Sequence, residues 1–346
     1  MTSQKRILIV GYYGFQNAGD EKCLLNTVSL LSKVYNNPLI TVVYPHNQSG
    51  KFNSISRFSP VDLLIGVKNC DLVIFGGGGL IQDVTSSLSL YYYLFILLLA
   101  KLFSKKSILL SQGVGPVSRP FSKCITQVIL NQTTDITVRD QASFHLLKQN
   151  LKVKTDIHLS ADMVFDNAIV TIPKAQIPEH KIGLSIRKVP IPKKNWQHIS
   201  EFVLQLKPLI FLDLQSSEDS HYFYSLDPAF EAIDIHDMNQ QWVEKTVTWP
   251  NITIVIGMRY HSLVAASLSG CPFLALAYDD KVLHLAQSLG QPCVDVRGKI
   301  SQSEISQSFE YIKENYVALQ KTLISRTQVL VKQAQVNQSI LEKHAS

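Results

Sequence analysis

Short runs of aliphatic and β-branched residues recur along this chain, each followed by a turn and then by a stretch of helical period. In the first half, Ile7–Val10, Leu39–Val43, Leu72–Phe75, Ile108–Ser111 and Ile136–Val138 read as short buried strands. Helix candidates lie at Cys23–Val34, Leu90–Phe103, Phe121–Leu130 and Gln141–Gln149. Unbroken apolar strands alternating with helices specify a parallel sheet covered on both faces, because a parallel neighbour is reached only through a crossover. The pattern stops between Val170 and Lys181, where Pro173 and Pro178 fix extended backbone, so this segment reads as a linker. A second series follows, with strands at Ile182–Ile186, Leu209–Leu214, Ile252–Ile256 and Phe273–Ala277. Its helices are expected at Ile199–Leu206, His261–Ser269 and Lys281–Leu289. From Ser303 to Leu341 runs one long helical pattern, open to interruption and suited to packing back across a domain face. The expected fold class is α/β, with two Rossmann-like lobes of parallel sheet (1–172 and 182–302), a helical tail (303–346) and a ligand cleft between the lobes.

Composition narrows the partners. The 346 residues are 46% apolar and only 17% charged, against roughly 25% in an average domain, which excludes a disordered chain. The net charge of +6 is spread out, the densest spots being Lys101, Lys105 and Lys106 and the pair Lys193–Lys194. No basic arm points to nucleic acid; attraction to anionic substrates or to an anionic membrane surface fits better. Five scattered cysteines without a CxxC pair argue against a zinc site or a disulfide framework, and Cys70 and Cys271 read as core residues of a protein in a reducing compartment. The polar Met1–Arg6 runs straight into a strand, so no signal peptide is expected and the location is expected to be cytoplasmic. Leu90–Ala100 is uncharged but falls short of the ~20 residues of a spanning helix. A buried helix is the favoured reading. The alternative is an interfacial element with Tyr91, Tyr92 and Tyr93 at headgroup level, peripheral at the cytoplasmic membrane.

Six motifs carry polar chemistry. Gly11–Glu21 follows the first strand; its glycines admit a ligand to the backbone, and Asn17 and Asp20 suit gripping hydroxyls or capping the next helix. Gly76, Gly77, Gly78 and Gly79 follow Phe75, and four consecutive glycines are hard to explain by packing, since each costs backbone entropy. Gln112-Gly-Val-Gly-Pro116 ends another strand, so three loops converge on one sheet rim. In Val138-Arg139-Asp140, the aspartate suits an N-cap and the guanidinium either a bidentate anion contact or a structural ion pair. Gly257-Met-Arg259-Tyr-His261-Ser262 brings an arginine and a histidine two residues apart at a helix start. Both then face one way, and the positive end of the helix dipole disfavours imidazolium, which poises His261 for proton transfer. Finally, Tyr278-Asp-Asp-Lys281 offers a second cation or an ordinary helix-start lysine.

This set of motifs resembles the polysaccharide pyruvyl transferase family, including its bacterial cell-wall branch. The matching segments are Gly11–Glu21, Phe75–Asp83, Gln112–Pro116, Val138–Asp140, Ile182–Arg187, Gly257–Ser262 and Tyr278–Val282, in family order over nearly the whole chain. Many relatives carry Gly where this chain has Gln16 and, often, Ser111, and Pro where it has Asp280; the segment Pro190–Trp196 is divergent. The resemblance implies a fold similar to B-type glycosyltransferases, with the first lobe on the acceptor side and the second on the donor side. It implies phosphoenolpyruvate as co-substrate with no separate cofactor or metal, and a glycan or lipid-linked saccharide as acceptor. The family's basic donor site and key histidine map onto Arg139, Arg259 and His261, with Arg187 and Lys281 as further substrate contacts. Two other readings stand beside it: a nucleotide-sugar glycosyltransferase on the same architecture, and a non-catalytic two-lobed protein that binds sugars or anions.

Overall fold

The computed structural model describes residues 4–45, 52–84, 86–171, 181–216, 218–238, 242 and 252–345. Most of the expected linker, residues 172–180, lies outside them. By their contacts the residues form two compact units, Met1–Phe15, Asp20–Asn167 and Leu330–Ser346 in the first, and Gln16–Gly19 with Ala168–Val329 in the second.

The first unit is built on seven parallel strands: β1 (Arg6–Val10), β2 (Leu39–Tyr44), β3 (Asn53–Ser56), β4 (Leu72–Gly76), β5 (Lys106–Gln112), β6 (Asp135–Val138) and β7 (Ile157–Leu159). Their order is β3-β2-β1-β4-β5-β6-β7, with registers such as Ile9 opposite Ile74. The chain leaves β1 in one direction and returns at β4 to run in the other. The carboxyl ends of β1 and β4 are therefore a topological switch point, where open α/β sheets bind ligands. They carry the Gly11–Gly14 and Gly76–Gly79 turns. Helix α1 (Ala18–Val34) follows β1, and α2 (Pro60–Asn69), α3 (Ser87–Leu102) and α4 (Pro120–Leu130) make the crossovers into β4, β5 and β6. Right-handed crossovers put these last three on one face. Helix α5 (Gln141–His145), capped by Asp140 through the Ser143 N–H at 2.7 Å, runs into a π turn, Leu146–Asn150.

The second unit repeats the scheme with six parallel strands in the order β10-β9-β8-β11-β12-β13. They are β8 (Lys181–Ser185), β9 (Leu209–Asp213), β10 (Asp234–Asp237), β11 (Ile252–Gly257), β12 (Phe273–Ala277) and β13 (Cys293–Asp295). Its switch point lies between β8 and β11, whose exits carry Arg187 and Arg259. Helices α6 (Lys193–Val203), α7 (Glu218–Tyr224), α8 (Tyr260–Leu268) and α9 (Asp280–Leu289) complete the scheme. The tail is broken at Asn315 and Gln335 into α10 (Gln302–Glu314), α11 (Tyr316–Ala334) and α12 (Val336–Lys343). Its end belongs to the first unit: buried Asn337 donates to the Ser111 hydroxyl at 2.8 Å and accepts from Thr137, while His344 and Lys343 reach Asp135.

The structure differs from the sequence reading in three respects. Strands β3, β7, β10 and β13 are short and, in β3 and β10, polar, so they carry no apolar run to detect. Helix α6 begins at Lys193, directly after Pro192 at its N-cap, rather than at Ile199. Tyr91–Tyr93 do not form an exposed interfacial girdle: Tyr93 is buried, and Tyr91 and Tyr92 pack half-buried against the core. Seven residues of α3 are buried, each worth roughly 1.5–3 kcal/mol for the larger side chains, so the helix is held to its sheet along one side. Among the described residues no helix is long and apolar enough to cross a membrane.

Candidate functional site

The motif residues gather in two groups, one on each unit. In the first unit, β4 ends in a turn that only glycine makes easily, since Gly77 and Gly78 have φ of +62° and +86°. A Cβ on Gly77 would stand 3.0 Å from that of Cys23, and one on Gly78 would stand 3.3 Å from Asp20 Oδ1. Gly79 is freer, with the Gly113 carbonyl at 3.8 Å as its nearest neighbour. Gln112 braces this turn: its buried amide nitrogen donates to the carbonyls of Phe75, Gly77 and Leu110 at 3.1–3.3 Å. Its Oε1 is buried without a hydrogen-bond partner among the described residues. Asp83 holds the next loop by accepting from the Ser118 and Arg119 N–H groups at 2.8 and 3.1 Å. Burial alone would raise its pKa, but these two bonds and the Arg119 charge outweigh that and lower it.

Arg139 leaves β6 and is buried, with Nη1 3.1 Å from Asp162 and Nε 3.4 Å from Asp140. Of the two sequence readings, the structural ion pair is the one this arrangement displays. Its guanidinium lies flat over Gly113, where a Cβ would come within 2.6 Å of it, so that glycine makes room for it. Asp162, 139 residues along the chain from Cys23 and also in contact with it, had no sequence signal.

In the second unit, β11 passes through Gly257 into α8, which has no side-chain cap. A Cβ on Gly257 would meet Leu263 Cδ2 at 2.6 Å and Ser262 Oγ at 2.7 Å, so these two side chains occupy the space a larger residue would need. Arg259 sits at this corner, 6% exposed. Its Nε donates to Asp219 at 2.7 Å, and its Nη2 donates to Asp219 and, at 3.0 Å, to Gln215. Nη1 has no partner among the described residues. Burial pushes the Asp219 carboxyl up and Arg259 pulls it part of the way back. Arg259, expected to contact an anionic donor, is thus already engaged with a carboxylate, and the sequence reading missed that carboxylate because Asp219 lies 40 residues upstream on an unpredicted helix.

His261 is half-buried, edge-on to Tyr260 and to the buried Trp242. The imidazole packs onto Gly19, where a Cβ would fall 1.9 Å from Nδ1. The segment Gln16–Gly19 is itself tied to the second unit, the Ala18 N–H donating to the Leu214 carbonyl at 2.8 Å and Asn17 bridging Gln215. Asn17 caps the start of α1, accepting from the Gly19 N–H at 3.1 Å, whereas Asp20 lies inside the helix's first turn. Arg187 reaches the Tyr278 hydroxyl at 3.4 Å, and its Nε is buried without a partner among the described residues. Lys281 is 5.7 Å from the centre of the Tyr278 ring and pairs with Asp279, the N-cap of α9, at 3.2 Å. Arg187, Arg259, His261 and Lys281 thus leave three adjacent strands at one sheet edge.

The sequence profile described as polysaccharide pyruvyl transferase matches residues 17–280. The chain belongs to this family. No curated protein matches its sequence. Among solved structures it is similar to a glycosyltransferase from Rickettsia africae, at 12% identity and TM-score 0.60 over 99% of this chain and 97% of that one. It is also similar to a sucrose-phosphate synthase from Thermosynechococcus elongatus, at 10% identity and TM-score 0.62 over 99% and 98%. A third is MurG of Acinetobacter baumannii, at 11% identity and TM-score 0.56 over 98% and 99%. These likenesses give the fold, that of B-type glycosyltransferases. This pyruvyl transferase family member therefore carries its motif residues on a glycosyltransferase-like pair of parallel sheets.

Proposed function

We propose that the protein transfers pyruvate from phosphoenolpyruvate to two hydroxyls of one sugar in a cell-wall or exopolysaccharide glycan carried on a lipid-linked precursor. The observation that carries this reading is the sheet edge of the second unit, where Arg187, Arg259 and Lys281 surround a helix start bearing His261. Phosphoenolpyruvate presents a carboxylate and a phosphate, which call for more than one cationic contact. His261 protonates the methylene carbon, leaving cationic character at the neighbouring carbon. One sugar hydroxyl adds there and gives up its proton. The carbon–oxygen bond to phosphate then breaks, and the second hydroxyl adds and loses its proton. Of the two protons released, one balances that taken up by carbon and the other leaves with inorganic phosphate. Arginines stabilise the departing phosphate through preorganised charge. Arg139 remains a substrate-binding candidate, a substrate anion having to compete there with Asp162 and Asp140. Phosphoenolpyruvate enters as a co-substrate, and a cytoplasmic location goes with its use.

The test is thermal shift with phosphoenolpyruvate and with nucleotide sugars, followed by phosphate release in the presence of saccharide acceptors. Stabilisation by phosphoenolpyruvate alone is expected. His261→Ala should leave donor affinity nearly unchanged and lower kcat roughly 10²–10⁴-fold, the usual worth of a positioned acid. Stabilisation by a nucleoside diphosphate instead would move the assignment to sugar transfer.

A further inference from the structure

We infer that the α2–α3–α4 face of the first unit docks on an anionic lipid surface. A helix on the surface of a soluble protein normally turns charged and polar groups outward. Helix α3 does the opposite. Its outward positions are Leu88, Phe95, Leu98, Lys101 and Leu102, with Leu88 79% and Leu102 67% exposed. The apolar members follow one stripe along the helix, because 88, 95, 98 and 102 are separated by seven, three and four residues. The helices packed on either side continue the pattern. On α2, Val61, Leu64 and Ile65 face out, and on α4, Phe121 and Val128 do.

Charge decides between occupants. Helices α3 and α4 contain no acidic residue, and α2 contains only Asp62. Lys68, Lys101, Lys105, Lys106, Arg119 and Lys123 stand on these helices or immediately beside them. Counted the same way, these six basic groups face three carboxylates, Asp62 with the flanking Asp71 and Asp83; that excess disfavours a second copy of the same face and matches an anionic headgroup layer. The 16 residues of α3 make about 24 Å of helix, shorter than the ~30 Å hydrocarbon core, so the helix lies in the interface rather than across it. The inference does not depend on the proposed reaction.

The experiment is co-sedimentation of the full chain with vesicles of equal parts phosphatidylglycerol and phosphatidylcholine, and with vesicles of phosphatidylcholine alone. At low salt the protein should bind the first at least tenfold more tightly than the second. Because Leu98 and Leu102 are exposed, Leu98→Glu with Leu102→Glu should leave the fold intact, checked by circular dichroism, and cut binding at least tenfold. Lys101→Glu with Lys105→Glu should weaken it by about fivefold or more per lysine. Leu88→Trp should give a blue-shifted difference in fluorescence on the anionic vesicles. Failure to bind anionic vesicles at low salt, or binding by the double Glu variant within twofold of the parent, overturns the inference. A dimer that those leucine changes dissociate, without vesicle binding, also overturns it and makes the face a contact between copies.

Discussion

Gly19→Ala tests whether the position of His261 matters to turnover. Among the described residues the imidazole rests on Gly19 with no room for a methyl group. The new Cβ would lie 1.9 Å from Nδ1, 2.1 Å from Cγ and 2.6 Å from Cε1. Ordinary contact needs about 3.4 Å or more, so the ring must retreat by about 1.5 Å. The backbone offers no objection, since Gly19 lies outside the left-handed region. Alanine near the start of α1 gains up to about 1 kcal/mol of helix propensity, which offsets the packing lost around the ring. Stability should therefore change by less than about 1 kcal/mol. Activity should not be spared, because an error of about 1 Å in a reacting group costs about 10²-fold. The expectation is a kcat near one hundredth of the parent's, with the KM for phosphoenolpyruvate changed less than threefold.

The decisive assay is a double-mutant cycle on phosphate release. If Gly19 acts by positioning His261, adding Gly19→Ala to His261→Ala should cost nothing further. Gly19→Ala retaining more than half of kcat would refute the positioning argument. A further tenfold loss in the double variant would show that the loop Gln16–Gly19 serves something other than the histidine.

Asp219→Ala leaves the buried Arg259 charge uncompensated and should cost about 3–5 kcal/mol in urea denaturation, with Asp219→Asn costing less because an acceptor remains. Gly78→Ala forces alanine to a φ of +86° and should destabilise the glycine turn by about 1–2 kcal/mol, and Gly77→Val or Gly78→Val should abolish turnover; Gly79→Ala, with open space around it, should be near neutral in both stability and rate. Burial pushes the Asp166 carboxyl up to about 6, from 3.8. Between those values the unfolded chain releases its proton first, so this group's contribution to stability falls as pH rises from about 4 to about 6 and is level above. Asp166→Asn should raise stability at pH 7 by up to about 3 kcal/mol and do nothing at pH 4; an equal gain at both values would rule out titration as its cause.

The central strands were legible because a parallel sheet buried on both faces demands unbroken apolar runs, as in Leu72–Phe75 and Ile252–Ile256. The edge strands were not, since β10 reads Asp-Ile-His-Asp and is recognisable only from its pairing with β9. The family's glycine preferences also acquire a physical cause. Gln16 and Ser111, the two places where this chain departs from a glycine, have φ of +56° and +50°. Each holds a non-glycine residue in a conformation that glycine takes without strain. At Ser111 the hydroxyl has a use, since it accepts from Asn337 and so ties the tail to the first unit. Asp280 opens α9, where a proline is well tolerated, and here its carboxylate accepts from Arg297 instead.

The arginines show where pattern reading stops. A guanidinium at a strand end reads as an open fork, but the carboxylates that fill such a fork lie far away in sequence, Asp219 for Arg259 and Asp162 for Arg139. Filling has a consequence for chemistry. With Nε and Nη2 engaged, Arg259 keeps only Nη1 without a partner among the described residues, so an anion at the proposed donor site would meet a single directed bond there rather than a bidentate clasp. Its charge is also largely neutralised by Asp219, and that of Lys281 by Asp279. Of these three cations Arg187 is the one with no ion pair among the described residues, although its charge still acts on Asp219; it donates to the Tyr278 hydroxyl, and its buried Nε has no partner among the described residues. An unmatched buried donor is costly, and an incoming anion would relieve that cost. On the function proposed above, this balance makes Arg187 the expected main contact for the anionic donor.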